Sequence, residues 1–326
     1  MTLFIIISLK VTSGSNMSSI TTVILMGFPI SEVSRLILFC LLVLIYSGTM
    51  CGNLVIVLLV SISKNLHSPM YFFLTQVSIS DVILVTTIVP STLHFLYIDS
   101  RLMSLWGCIA QYVSFSFALS SECLLLTAMS YDRFFAICDP LRYTSIMDMR
   151  RCISLAILCW CLSLSVISVK ITNVSQFDFC GPNIVHHFFC DLYPLLQLSC
   201  SETSVFQIQI TIIVVTLVIT PLLLIITSYT CIISSILKIQ SLTRRRKVFS
   251  TCSSHLTVVC IYYGTLCGIY IIPNKGQEFG VSTAFSLFYT VVTPLLNPIV
   301  YSLRNKELKK AFKTSTKRLH TIIKRR

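Results

Sequence analysis

A long apolar segment of the sequence ends in the stretch Met129-Ser-Tyr-Asp-Arg-Phe-Phe-Ala-Ile-Cys-Asp-Pro-Leu-Arg-Tyr143. An acid and a base, Asp132 and Arg133, stand side by side where this segment meets a polar, basic loop. Charged side chains are costly inside a bilayer and are usually retained for function. We therefore expect the pair to act as a latch, closed in one conformation and open in another, unless Arg133 only reaches out to the lipid headgroups.

The composition indicates a membrane protein. Hydrophobic residues make up 55% of the 326 residues, charged residues only 11%, and the mean hydropathy is +0.84. A soluble fold of this length needs more polar surface. Strands of a membrane barrel would be about ten residues long and would alternate in polarity, whereas the apolar runs here are long enough for helices that cross about 30 Å of hydrocarbon. The sequence predicts an all-α membrane protein, a bundle of seven transmembrane helices at residues 36–60, 70–92, 105–131, 152–171, 206–237, 248–272 and 282–303.

The distribution of basic residues predicts the orientation. Of the 25 lysines and arginines, 20 fall on one side of the predicted helices and five on the other. The positive-inside rule places the N-terminus outside and the C-terminus in the cytoplasm. We expect an extracellular segment at 1–35, a seven-transmembrane domain at 36–303 and a basic cytoplasmic tail at 304–326. The basic residues flank the membrane, and we therefore expect no nucleic-acid partner.

The outer loops carry the other chemical signals. Four cysteines, Cys108, Cys180, Cys190 and Cys200, fall on the oxidising outer side and allow three disulfide pairings. We favour Cys108–Cys190, with Cys180–Cys200 closing the outer loop on itself; a metal site built from His186, His187 and Cys190 is the alternative. The patterns Asn16-Met17-Ser18 and Asn173-Val174-Ser175 are N-glycosylation acceptors on the same side.

Six short motifs follow one another in an order that resembles the rhodopsin-like G protein-coupled receptors, and within them the olfactory receptors. They are Gly52-Asn53, Leu66-His-Ser-Pro-Met-Tyr-Phe-Phe-Leu74, Met129-Ser-Tyr-Asp-Arg-Phe-Phe-Ala-Ile-Cys138, Ser228-Tyr229, Lys247-Val-Phe-Ser-Thr-Cys-Ser-Ser-His-Leu256 and Pro294-Leu-Leu-Asn-Pro-Ile-Val-Tyr-Ser-Leu-Arg-Asn305. The resemblance covers about residues 27–310. It departs from the common pattern at Phe134, where many receptors carry tyrosine.

The resemblance implies roles for the polar residues inside the helices. The set for the activation switch and G-protein coupling is Asp132, Arg133, Tyr229, His255, Asn297, Pro298 and Tyr301. The set for a sodium site is Asp81, Glu122, Asn53 and Asn297. A protonated Asp81–Glu122 pair that only packs the helices is the alternative, and the sequence predicts no cofactor other than that ion. The prolines at 221, 294 and 298 are expected to kink the fifth and seventh helices.

The resemblance also implies a ligand pocket in the outer half of the bundle. Its expected lining is Tyr112, Phe115, Ser116, Leu119, Ser120, Ile213, Tyr263, Cys267, Tyr270, Leu287 and Thr290. An apolar lining with scattered hydroxyls suits small, weakly polar ligands, although each of these residues is equally suited to helix packing. Phe115 stands where amine receptors carry an acid, which argues against an amine ligand.

The sequence thus predicts a receptor that binds an odorant outside and activates a heterotrimeric G protein of the Gs/Golf type inside. The stretch 305–317 is expected to form a short amphipathic eighth helix, with Leu308 and Phe312 dipping into the inner leaflet and lysines facing anionic lipid. A class A receptor for a lipid or peptide is the alternative. A transporter or channel is disfavoured because no internal repeat is visible. We expect no enzyme, since the chain lacks a nucleophile elbow, a His-Glu-x-x-His spacing and a phosphate-binding glycine loop.

Overall fold

The computed structural model describes residues 20–28, 30–98, 102–180, 183–271 and 279–324, and most of them are helical. Seven long helices lie within these ranges: α1 (Glu32–Ile62), α2 (Pro69–Ile98), α3 (Leu105–Cys138), α4 (Met149–Val174), α5 (Ser204–Leu237), α6 (Leu242–Ile271) and α7 (279–304). Six of them, all except α6, contain an apolar stretch long enough to cross a membrane in the part of the chain described. α6 is 30 residues long and packs against α3, α5 and α7. The predicted seven-helix bundle is confirmed.

Several helices are longer than their apolar cores because polar side chains cap them. Ser31 accepts a hydrogen bond from the Ser34 amide at the start of α1, and Asp148 accepts one from the Arg151 amide at the start of α4. Such caps satisfy amide groups that have no partner inside the helix. α3 likewise continues to Cys138. Asp132 and Arg133 therefore lie inside α3, which extends beyond the predicted span at 105–131.

α5 and α7 share a local irregularity. Each contains one turn of π-helix, at Val215–Ile219 and Phe288–Val292, and each turn is followed by a Thr-Pro pair. The amides of Thr220 and Thr293 donate five residues back, to the carbonyls of Val215 and Phe288. The next residue is a proline, which has no amide hydrogen, so the wide turn accommodates the missing bond.

A small sheet covers the outer side and was not predicted. The strands β1 (Thr22–Leu25), β2 (Leu102–Ser104) and β3 (Ile184–Val185) form it in the order β2-β1-β3. β1 runs antiparallel to β2 and parallel to β3. The N-terminal segment is thus tied to two outer loops.

On the inner side, a short helix (Tyr143–Ile146) lies in the loop between α3 and α4, and α8 (Lys306–Lys324) follows α7. α8 is longer than the predicted stretch 305–317. Leu308 is buried against the bundle, whereas Phe312 is about half exposed. Of these two residues, Phe312 is therefore placed to enter lipid, whereas Leu308 anchors α8 to the bundle.

Candidate functional site: a polar axis through the helix bundle

Two disulfides fix the outer loop between α4 and α5. The bond between Cys108, at the start of α3, and Cys190 holds their Cα atoms 5.3 Å apart, and the bond between Cys180 and Cys200 holds theirs 5.8 Å apart. Gln111 adds a polar clamp, since its side-chain oxygen accepts the Cys190 amide at 2.9 Å. These links hold the loop directly over the ends of the helices.

The loop sends aromatic rings into the expected ligand region. The ring of Phe189 lies edge-on to Phe115 with centroids 5.2 Å apart, and Phe115 contacts Tyr289 of α7 at 6.0 Å. Above them, Phe188 stacks on Phe28 of the N-terminal segment at 5.1 Å. Loop aromatics carry no helical periodicity, so no sequence pattern distinguished Phe188 or Phe189 from the other loop residues. A ligand that contacts Phe115 must share this space with Phe189.

The other expected pocket residues differ in their burial. The buried members are Tyr112, Ser116, Ser120, Tyr263 and Thr290, and the half-buried ones are Leu119, Ile213, Cys267 and Leu287. The side chain of Tyr270 lies outside the described residues. Two of the hydroxyls bond to their own helices: Ser120 donates to the Ser116 carbonyl at 2.8 Å and Thr290 to the Ser286 carbonyl at 2.7 Å. The lining is thus less polar than its composition indicates.

Tyr262 of α6 connects this region to the middle of the bundle. Its hydroxyl donates to the Leu119 carbonyl at 2.9 Å and lies 3.1 Å from the Cys123 sulfur. Its ring contacts Tyr289 with centroids 6.1 Å apart. Tyr262 is fully buried. The sequence reasoning missed it, although a tyrosine beside the selected Tyr263 was a signal for it.

Two buried carboxylates share one donor at the centre. The Asn297 amide donates to both oxygens of Asp81 at 3.0 Å and to Glu122 Oε1 at 3.2 Å. Within the described ranges, neither carboxylate has an ion pair with a lysine or arginine. Adjacent like charges in a medium of low dielectric favour either a shared proton or a bound cation. Asn53 does not bond to either acid; its amide donates to the Pro294 carbonyl at 3.2 Å and the Thr49 carbonyl at 3.1 Å.

Close packing of α1 against α7 positions this centre. A Cβ atom added at Gly52 would lie 3.0 Å from Pro298 Cγ, a contact that forces the neighbour to move. Only glycine allows the two helices to approach this closely without displacing Pro298. The bond between Asn53 and the Pro294 carbonyl depends on the same approach.

At the inner end, the carboxylate of Asp132 is held on both oxygens. Arg133 pairs with Oδ2, its Nε donating at 2.8 Å and its Nη2 making the closer contact. The hydroxyl of Tyr143, in the short helix of the inner loop, donates to Oδ1 at 2.8 Å. Asp132 is fully buried, and the Arg133 side chain is 14% exposed. The charged pair therefore has a third partner, Tyr143, to which sequence reasoning assigned no role.

Tyr229 and His255 form a second inner contact. The Tyr229 hydroxyl lies 2.7 Å from His255 Nδ1, and the two rings stack with centroids 5.7 Å apart. This bond joins α5 to α6. Tyr301 of α7 is also buried, but its hydroxyl has no hydrogen-bond partner among the described atoms. A buried hydroxyl without a partner is costly, and Tyr301 is thus available for a different arrangement of the helices.

The remaining predicted residues lie on the outer side. Asn173 is in the last turn of α4 and donates to the Val169 carbonyl at 2.7 Å, while Asn16 lies outside the described residues. In the alternative metal site, the Cys190 sulfur is bonded to Cys108, and His187 packs against both Phe188 and Phe189. Burial of the imidazole lowers the pKa of His187 to about 4.

Comparison with known proteins identifies the family. The sequence model of the family described as "Olfactory receptor" matches residues 39–318. Human olfactory receptor 13A1 is 44% identical over 299 residues, which cover 92% of this chain and 91% of that protein. Human olfactory receptor 11L1 is 43% identical over 308 residues, which cover 94% and 96% of the two chains.

A solved structure supports the fold independently. Squid rhodopsin superposes with a TM-score of 0.72 at 14% sequence identity, covering 92% of each chain. Likeness at this identity shows the helical architecture alone, and the sequence matches supply the family. The chain belongs to the olfactory receptor family: it is a multi-pass odorant receptor of the cell membrane that couples to a G protein, and it is not an enzyme.

Proposed function

We propose that this receptor binds small, weakly polar volatile molecules around Phe115 and signals through a G protein of the Gs/Golf type that raises cyclic AMP. One observation carries the proposal: the aromatic cluster of Phe115, Phe189 and Tyr289 touches Tyr262, which reaches α3 beside Glu122. The expected lining of this region carries no formal charge. Such a surface binds ligands chiefly by burial of apolar area.

A ligand at Phe115 acts on the bundle through Phe189 and Tyr289. Displacing Phe189 from Phe115 changes what Tyr289 and Tyr262 can pack against, and Tyr262 lies on α6. Ligand binding then favours the arrangement in which α6 has moved, because a ligand shifts an equilibrium only by its different affinity for the two states. At the inner end, release of Arg133 from Asp132 exposes a cation to the G protein.

The test compares two phenylalanines on α3. Phe115 faces the aromatic cluster, whereas Phe117 contacts Trp160 of α4 at 5.3 Å. Cells expressing the receptor with a Golf-type subunit are screened against a volatile panel by cyclic AMP. We expect Phe115→Ala to change the potency of active odorants by about tenfold, since an aromatic contact contributes about 0.5–1.5 kcal/mol beyond its area.

The matched variant Phe117→Ala should leave potency unchanged at equal surface expression. Equal losses in both variants would place the ligand elsewhere. A response carried by inositol phosphates without cyclic AMP would overturn the assignment of the G protein.

We further propose that the centre formed by Asp81, Glu122 and Asn297 holds a sodium ion in the resting receptor. The oxygen Oδ1 of Asn53 supports this, because it is buried nearby on α1 without a hydrogen-bond partner in the described part of the chain. The two carboxylates supply the charge. Release of the ion is then linked to activation.

Replacing sodium by N-methylglucamine in the cyclic AMP assay tests this proposal. Odorant potency should rise when sodium is removed, and Glu122→Gln should abolish the difference. Asp139→Asn removes an acid that pairs with Arg142 on the inner surface, and it should preserve the sodium effect. A native receptor indifferent to sodium would favour the shared proton instead.

A further inference from the structure

A cleft of about 450 Å³ lies between the cytoplasmic ends of α5 and α6. One wall is a single face of α6, formed by Leu242, Arg245, Arg246 and Phe249. These positions are three and four residues apart and therefore fall on the same side of a helix. The facing wall comes from α5 and consists of Ile233, Ile236 and Leu237. Neither the ligand region nor the latch at Asp132 uses this cleft.

The cleft changes character with depth. Leu237 and Leu242 flank the short turn that joins the helices, whereas Ile233 and Phe249 lie further into the bundle. At 1.5 Å per residue, Phe249 lies about 5 Å deeper than Arg246. Ile233 and Phe249 are 44% and 55% exposed. An apolar surface thus opens sideways beneath two arginines.

The two arginines have unused binding capacity. Neither Arg245 nor Arg246 forms an ion pair with an acid in the described ranges. A guanidinium group presents a planar fork of donors that matches a phosphate. A site that binds phosphate at its arginines and hydrocarbon along its apolar wall matches a phospholipid. The inner leaflet is the one rich in anionic lipid.

We propose that this α5–α6 cleft binds one acidic phospholipid of the inner leaflet. Its phosphate contacts Arg245 and Arg246, and an acyl chain lies along Ile233 and Phe249. The lipid then touches both helices at their inner ends. Since the Tyr229–His255 bond joins the same two helices, an occupied cleft changes how readily α6 separates from α5.

The experiment measures lipid binding to the purified full-length receptor. Native mass spectrometry counts bound phosphatidylserine and phosphatidylcholine as each is titrated into the detergent-solubilised protein. We expect the native receptor to prefer phosphatidylserine. The double variant R245Q/R246Q should weaken phosphatidylserine binding by roughly thirtyfold, because each basic residue near the membrane surface contributes about fivefold.

Two further variants separate the site from general charge. R150Q/R151Q removes two exposed arginines at the inner end of α4 and should leave the binding within about threefold of the native receptor. Ile233→Trp fills the apolar part of the cleft and keeps both arginines; it should weaken phosphatidylserine binding by about fivefold. Equal losses in R245Q/R246Q and R150Q/R151Q would show diffuse attraction and overturn the proposal.

Competition distinguishes the other occupants. Glycerol 3-phosphate carries a phosphate group without acyl chains and should not displace phosphatidylserine. Displacement by it would make the cleft a site for soluble phosphate. If R245Q/R246Q binds lipid normally but couples poorly to the G protein in pure phosphatidylcholine, the arginines contact protein and the lipid proposal fails.

Discussion

Replacing Tyr143 by phenylalanine tests whether the inner loop holds the latch closed. The change removes one hydroxyl, the donor to Asp132 Oδ1 at 2.8 Å, and leaves the Arg133 pair on Oδ2 in place. A hydrogen bond to a charged group contributes about 1.5–3 kcal/mol. Tyr143 is only half buried, so water partly replaces the bond and the low end applies. About 1.5 kcal/mol shifts the equilibrium between resting and active states roughly tenfold.

If the active state is populated at about 1% without ligand, Tyr143→Phe raises it to about 10%. The assay is cyclic AMP without odorant, normalised to receptor at the cell surface. Tyr131→Phe is the matched control: it removes the same group from α3, one residue before Asp132, but Tyr131 is 43% exposed and its ring packs on Phe135. Basal signalling that is unchanged by Tyr143→Phe, or raised equally by both variants, would refute the latch.

Two further predictions concern packing and pH. Gly52→Ala should destabilise the purified receptor by about 1 to 2 kcal/mol in thermal unfolding, because the new Cβ lies 3.0 Å from Pro298. The control Gly264→Ala adds a Cβ with no atom within 4 Å and should be neutral or mildly stabilising. Equal changes in stability in the two variants would contradict the packing argument. Burial lowers the pKa of His187 from 6.5 to about 4 in the folded receptor. The unfolded chain therefore binds the proton more tightly than the folded one. The free energy of unfolding should fall by about 3 kcal/mol as the pH drops from 6.5 to 4. The melting temperature should depend less on pH in His187→Asn than in the native receptor. It should keep its pH dependence in His186→Asn, because the native His186 ring is exposed. A native melting temperature that does not change with pH would refute the assignment.

The seven transmembrane helices were predictable because the length of each apolar run can be read from that segment alone. The rarity of acids in apolar segments was enough to select Asp81 and Glu122, which meet at Asn297 in the structure. Both signals depend on the cost of polar groups in lipid, and neither requires knowledge of which helices are neighbours. The helices therefore followed from the sequence, with their ends extended by caps.

What the sequence did not reveal depends on contacts between distant segments. Tyr143 meets Asp132 only because the inner loop folds back under α3. The strands of the outer sheet are two to four residues long, too short to carry an alternating pattern. Phe189 contacts Phe115 in a loop that the Cys108–Cys190 bond ties to α3. In each case the partner, rather than the residue type, decides the role.

The outer sheet has a consequence for how the receptor is made. Its middle strand, β1, is synthesised first, yet Ile24 pairs with Ile184, which follows 160 residues later. At the usual speed of translation, β1 waits on the order of 10 to 30 s for this partner. During that time four helices must be inserted, and Val23 and Leu25, buried in the finished protein, remain exposed in the secretory compartment. Closure of the outer side is thus a late step of biosynthesis, and chaperones that bind exposed apolar strands have a defined interval in which to retain the unfinished receptor.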